Sequence, residues 1–153
     1  MAEQKKLIGV IGASNATAEG LLVAEEVGRL IAGAGAALVC GGLGGVMAAA
    51  ARGCAEAGGD VVGILPGPTA TDANAHITFA IPTNMGHARN IIIAHTAQSL
   101  VAIEGEYGTL SEIAISLKLN KPVFVLRPQY EIDDVTVVAT AAEAVTMAVA
   151  AIK

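Results

Sequence analysis

Four glycines in five residues, Gly41-Gly42-Leu43-Gly44-Gly45, follow the apolar run Ala37-Leu38-Val39-Cys40 and precede a helical pattern that starts at Val46. Glycine lets a backbone pass close to a ligand. The unpaired N–H groups that open a helix, at the positive end of its dipole, favour an anion there. A tight strand-to-helix turn needs only one or two glycines. The surplus points to a phosphate cradle made by Gly41, Gly42, Gly44, Gly45, Val46 and Met47. The spacing is neither G-x-G-x-x-G nor a Walker lysine loop, which argues against a dinucleotide enzyme and a P-loop ATPase.

Two other turns leave strand-like runs in the same way: Gly12-Ala13-Ser14-Asn15, and Gly105-Glu106-Tyr107-Gly108-Thr109. Arg89 falls in the first turn of a helix after Thr83-Asn84. A cation there opposes the helix dipole, so the placement reads either as a solvated surface arginine or as the partner of a nearby anion. Arg29 and Arg52 lie mid-helix or later and read as solvated. Glu112 has two readings as well. Thr109-x-x-Glu112 has the spacing of a capping box, and Thr140-Ala141-Ala142-Glu143 repeats that spacing where nothing else suggests chemistry, so spacing alone favours a cap over a catalytic group. His76, His87 and His95 lack metal-ligand spacing and read as surface or interface residues, and no metal site is assigned. Cys40 and Cys54 read as small buried thiols.

The elements that would carry these groups alternate. Strands are expected at 7–12, 37–40, 61–65, 77–81, 100–103 and 122–126. Helices are expected around Leu22, Val23, Val27, Leu30 and Ile31, then over 46–57, 85–96, from the turn 104–108 to Asn120, and over 140–152, where Val145, Val149 and Ile152 seal one edge of the sheet. Gly33–Gly35 end the first helix. Such alternation with short connections predicts an α/β chain: a Rossmann-like, doubly wound, mainly parallel sheet flanked by helices, with residues 1–153 as one domain. Ligands bind beyond the carboxyl ends of such strands.

Composition narrows the function classes. The chain has 153 residues, 54% of them hydrophobic and 15% charged, and a net charge of −5. Nine scattered Lys and Arg, two Tyr, two Phe and no Trp offer neither a basic stripe nor stacking platforms, so nucleic acid is an unexpected partner. Mean hydropathy is high at +0.61, but acidic or basic residues interrupt every run long enough to span a membrane. The start, Met1–Lys6, lacks a cleavable apolar leader, so a cytoplasmic location is expected.

Taken together, Ile11-Gly12-Ala13-Ser14, Gly41–Met47 with Ala48–Gly53, Gly63-Ile64-Leu65-Pro66, Met85-Gly86-His87-Ala88-Arg89-Asn90 and Gly105–Glu112 resemble one family. It includes the Lonely Guy (LOG) phosphoribohydrolases, the proteins misnamed lysine decarboxylases, and the molybdenum-cofactor carrier proteins. The resemblance covers residues 7–127. It implies a pocket lined by Gly12, Ala13, Ser14, the Gly41–Met47 turn, Arg89, Asn90, Gly105, Gly108 and Thr109, and a homodimer or higher homo-oligomer. In the hydrolase branch, the positions of Glu112 and Arg89 are implicated in cleaving the N-glycosidic bond of a nucleoside 5′-monophosphate. Here Glu104 stands for that branch's proline and Glu106 for its second glycine. Two carboxylates beside the turn would repel a 5′-phosphate unless they point away or are neutralised. With Arg89-Asn90 and the short length, this resembles the carrier branch. The expectation is a carrier of a phosphate-bearing small molecule, the molybdenum cofactor or a nucleotide-like ligand, with no other cofactor required. A phosphoribohydrolase and a structural or regulatory oligomer with a vestigial pocket are the alternatives.

Overall fold

The computed structural model describes residues 2–153. Seven strands form one sheet in the order β4-β3-β2-β1-β5-β6-β7, every neighbouring pair parallel. They are β1 (Leu7–Gly12), β2 (Ala37–Cys40), β3 (Val61–Leu65), β4 (Phe79–Pro82), β5 (Ser99–Ile103), β6 (Val123–Leu126) and β7 (Thr136–Val137). Five helices join them: α1 (Ala18–Gly33), α2 (Val46–Glu56), α3 (Arg89–Thr96), α4 (Tyr107–Lys118) and α5 (Ala141–Ala150).

The apolar strands are buried on both faces, which is why they read as unbroken hydrophobic runs. Side chains alternate across the pleat. Ile8, Val10, Leu38, Cys40, Val101 and Ile103 join the core beneath α1, α2 and α5. Ile11, Val39, Ile64, Leu100 and Ala102 join the core beneath α3 and α4. The chain winds outward from β1 through β2 and β3 to β4, then returns to place β5 on the other side of β1. The reversal opens a crevice between β1 and β5 at their carboxyl ends, where an α/β sheet of this kind takes its ligand.

Helices α1 and α2 cross at two glycines. A Cβ on Gly28 would lie 1.9 Å from the Ala50 carbonyl oxygen, and one on Gly53 1.9 Å from the Glu25 carbonyl oxygen. Backbone cannot swing aside as a side-chain end can. Gly28→Ala should therefore destabilise the chain by about 3 kcal/mol, at the upper end of ordinary overpacking costs, and a denaturant melt with unaltered m-value would measure it.

Several elements depart from the sequence expectation. The strand expected over 77–81 starts at Phe79, because Thr78 instead uses its N–H and hydroxyl to hold the start of β3: its N–H donates to Val61 O (2.9 Å) and its Oγ1 accepts from Val61 N–H (3.0 Å). The helix expected over 85–96 begins as a single 3-10 turn, Gly86–Ala88, before α3. β7, two residues long and exposed, carried no sequence signal. Helix α5 lies over the face of β5 and β6 with Val145 in the core, joined there by Ile152 just past its end, and does not seal an edge. Cys40 and Cys54 are buried free thiols, as expected. Arg29 pairs with Glu26, and Arg52 with Glu25 and Glu56, all at the surface. Among the described residues, no helix is long and apolar enough to cross a membrane.

Candidate functional site

A cavity of about 320 Å³ occupies the β1/β5 crevice. Three chain segments leaving strand ends wall it: Gly12–Asn15 after β1, Gly41, Leu43 and Met47 after β2, and Glu106–Thr109 after β5. His87, Arg89 and Asn90 close it from the start of α3, and Glu112 from α4.

Helix α3 buries Arg89, Asn90, Ile93 and Ala94, one stripe at helical spacing, which turns the arginine inward from its first residue. Arg89 is only 6% exposed. Its Nη1 donates to Asn90 Oδ1 (2.9 Å) and its Nη2 to the Gly41 carbonyl oxygen (3.3 Å). Its Nε–H is buried and has no partner among the described residues. Burial pushes the guanidinium pKa down, with Glu112 and Cys40 opposing, and an arginine so placed remains a cation. Such a donor costs about 1–3 kcal/mol while it is unpaired.

Helix α4 buries Thr109, Glu112, Ile113 and Ser116, again a single stripe. The stripe carries Glu112 over the crevice. The expected capping box is not there. The helix starts at Tyr107, with Glu106 at the cap position and no side-chain cap, so Glu112 stands well inside the helix, too far along to reach its opening N–H groups. The same spacing at Thr140–Glu143 does form a cap: Thr140 Oγ1 accepts from Glu143 N–H (3.1 Å), and the Glu143 carboxylate accepts from Ala139 N–H (3.0 Å). Among the described residues, none donates a hydrogen bond to the Glu112 carboxyl. Burial raises its pKa to about 8, Arg89 acting against the rise. No direct ion pair joins the two. At neutral pH Glu112 is therefore mostly a neutral acid that can donate as well as accept. Cys40, beneath Gly41, is pushed up to about 12 by burial and stays a thiol.

The glycine turn is used differently along its length. Gly41 faces the cavity: a Cβ there would lie 2.7 Å from Met47 Sδ and 2.9 Å from Arg89 Nη2. Gly42 packs toward Leu65, and Gly44 is exposed, with open space where a Cβ would be. Gly45, at φ +65°, sits where a Cβ would be 2.3 Å from the Ala13 carbonyl oxygen. Val46 gives its N–H to that same oxygen at 3.0 Å. The Gly12–Asn15 loop thus takes one of the amides opening α2. Of the expected residues, Gly12, Ala13, Ser14, Gly41, Met47, Arg89, Asn90, Gly108, Thr109 and Glu112 line the cavity. Gly42, Gly44, Gly45, Val46 and Gly105 do not. The structure adds Val10, Ile11, Asn15, Leu43, His87, Glu106 and Tyr107. His87, Glu106 and Tyr107 lie within the Met85–Asn90 and Gly105–Glu112 segments, but none was expected in the pocket, His87 having read as a surface or interface residue. Leu43, inside the glycine turn, carried no chemical signal of its own.

The feared repulsion is halved. Glu104 points away from the cavity into bonds with Thr17 and Arg127, while Glu106 lines the rim and is exposed.

The sequence matches the SLOG cluster4 family over residues 5–152. The chain belongs to that family. A SLOG cluster4 chain of this length has a relative in Archaeoglobus fulgidus, itself uncharacterised, 48% identical over 138 residues that span 90% of this chain and 91% of the relative. Among solved structures, it is similar to the molybdenum cofactor binding protein from Rippkaea orientalis, with TM-score 0.93, 31% identity, and 99% of this chain and 100% of the other covered. It is also similar to the molybdenum cofactor carrier protein from Chlamydomonas reinhardtii, with TM-score 0.89, 34% identity, and 97% and 98% covered. The family and the carrier-like neighbours agree with the resemblance read from the five sequence segments.

Proposed function

We propose that this SLOG cluster4 chain binds and carries a phosphate-bearing heterocycle of the molybdenum-cofactor type in the β1/β5 cavity. The observation that carries the reading is Arg89, a nearly buried cation with an unpartnered Nε–H in the wall of that cavity. A phosphate or similar oxyanion matches such a donor. The end-to-end likeness to two molybdenum cofactor proteins supports the same class of cargo. Arg89 would hold the anion together with the uncapped N–H groups at Tyr107, Gly108 and Thr109, since no side chain competes for them. Met47, Leu43 and the Gly41 backbone would face the ring, and the Glu112 carboxyl would meet a polar ring edge. The cargo brings its own molybdenum chemistry; the chain binds, orients and shields it. The same reading takes the chain as a cytoplasmic homo-oligomer.

Titrating the protein with molybdenum cofactor, with purine nucleoside monophosphates as competitors, tests the proposal. Saturable binding at one site per chain is expected, and no binding overturns it. Glu112 favours a second reading, because a buried carboxyl still protonated at neutral pH suits general-acid chemistry at an N-glycosidic bond. Release of free base and ribose 5-phosphate from purine monophosphates, lost in Glu112→Ala, would replace the carrier reading with the hydrolase.

A further inference from the structure

Glu104 is a buried acid that the binding reading leaves without a task. It follows β5 with a left-handed φ of +53°. Its side chain is 3% exposed, yet it does not line the cavity. Its carboxylate accepts from Thr17 N–H (3.1 Å), Thr17 Oγ1–H (2.5 Å) and Arg127 Nε–H (3.1 Å). Arg127, also left-handed at φ +53° just after β6, reaches Glu19 with Nη1 at 2.8 Å. Thr17 in turn caps α1 by accepting from Gly20 N–H at 3.0 Å.

One carboxylate therefore ties together the segments leaving β1, β5 and β6. The fit is close: a Cβ on Gly20 would lie 2.4 Å from Glu104 Oε1. The segments leaving β1 and β5 also wall the cavity, as Gly12–Asn15 just before Thr17 and Glu106–Thr109 just after Glu104. Burial pushes the Glu104 carboxyl up, but its bonds from Thr17 and Arg127 outweigh that and leave it below the ordinary value. It is an anion at any neutral pH. A left-handed, non-glycine residue at a strand end costs about 1 kcal/mol or more and persists only where its surroundings hold it.

We propose that Glu104 is a positioning residue that holds the two cavity walls at a fixed spacing and so sets the affinity for a ligand it never touches. This rests on the cavity being the ligand site, as proposed above. It also gives a reason for an acid at a position where the LOG hydrolase pattern has proline. The acid serves the architecture of the loops and faces away from the anion.

Hydrogen exchange on the ligand-free protein and titration with molybdenum cofactor, run on Glu104→Gln, Thr17→Val and Thr17→Ser, test the inference. Glu104→Gln should speed exchange at 12–17 and 105–108 about tenfold, leave the strands protected, and weaken binding about tenfold, the scale of one lost charge-assisted bond. Thr17→Val should follow it. Thr17→Ser keeps both donors and should behave as the parent protein. Unaltered exchange in the two segments of Glu104→Gln overturns the inference, whatever the protein binds. Faster exchange spread evenly over the chain, with affinity intact, also overturns it, because Glu104 would then serve general stability alone. If the parent protein fails to bind the cofactor, the binding reading falls by itself, and the exchange data still decide whether Glu104 couples the walls.

Discussion

Arg89→Met should weaken binding of a phosphate-bearing ligand at least about thirtyfold while leaving the melting temperature level or higher. The two halves of that result come from the same atoms. In the ligand-free protein the guanidinium is nearly buried, its Nε–H is unpaired, and it forms no ion pair with Glu112. A buried, under-paired charge contributes little to stability, and an apolar side chain of similar length is often neutral or stabilising in its place. Once a phosphate arrives, the same charge gains a desolvated partner, and truncating one member of such a pair costs about 2–5 kcal/mol of binding. Calorimetry and a thermal melt on the same sample measure both halves. A large fall in melting temperature with affinity preserved would instead make Arg89 part of the scaffold.

Raising the pH through about 8 should weaken anion binding, and Glu112→Gln should remove that dependence. Below that pH Glu112 is neutral and Arg89 is the principal charge in the inner wall. Above it, a carboxylate shares the wall, cancels the arginine's field and repels the phosphate. Stability shifts with the same proton. The folded-state pKa is raised from 4.5 to about 8, so between those values the folded chain holds a proton that the unfolded chain has lost. Stability then falls as pH rises across that window, by about 1 kcal/mol per unit, and levels off above it. Glu104 contributes the opposite slope at acid pH: its lowered pKa stabilises the fold above the ordinary carboxylate range, and that contribution is lost as the group protonates. Denaturant melts from pH 5 to 9 on parent and Glu112→Gln proteins would isolate the Glu112 share as their difference.

The contrast between Glu112 and Glu143 shows where sequence reading stops. Both stand three residues after a threonine at the approach to a helix. Glu143 is a cap and Glu112 is not, because α4 starts two residues before Thr109 and the same spacing then lands inside the helix. Where a helix begins depends on how the preceding strand and loop are held, and here the residue that follows β5, Glu104, is bonded to Thr17, 87 residues away in sequence. The glycine turn is a similar case. Its density was legible as close backbone approach. What approaches was not, and at Gly45 it is the Ala13 carbonyl.

Sequence by itself determined the alternating α/β order, the parallel sheet, the family and three of the turns that gather at its carboxyl edge. The order and the sheet follow from local patterns: apolar runs of strand length, helical periodicity, and glycine where the chain must turn tightly; the family follows from the resemblance carried by the five quoted segments. Tertiary structure decided which atoms of those turns face a ligand. It buried Arg89 with a donor to spare, raised the Glu112 pKa by burial, turned Glu104 away into the loops, and closed one amide of α2 with a carbonyl of the β1 loop. Burial, hydrogen-bond partners and pKa are properties of what surrounds a side chain, and in a doubly wound sheet the surroundings of the β1/β5 crevice come from segments as far apart in sequence as Gly12 and Glu112.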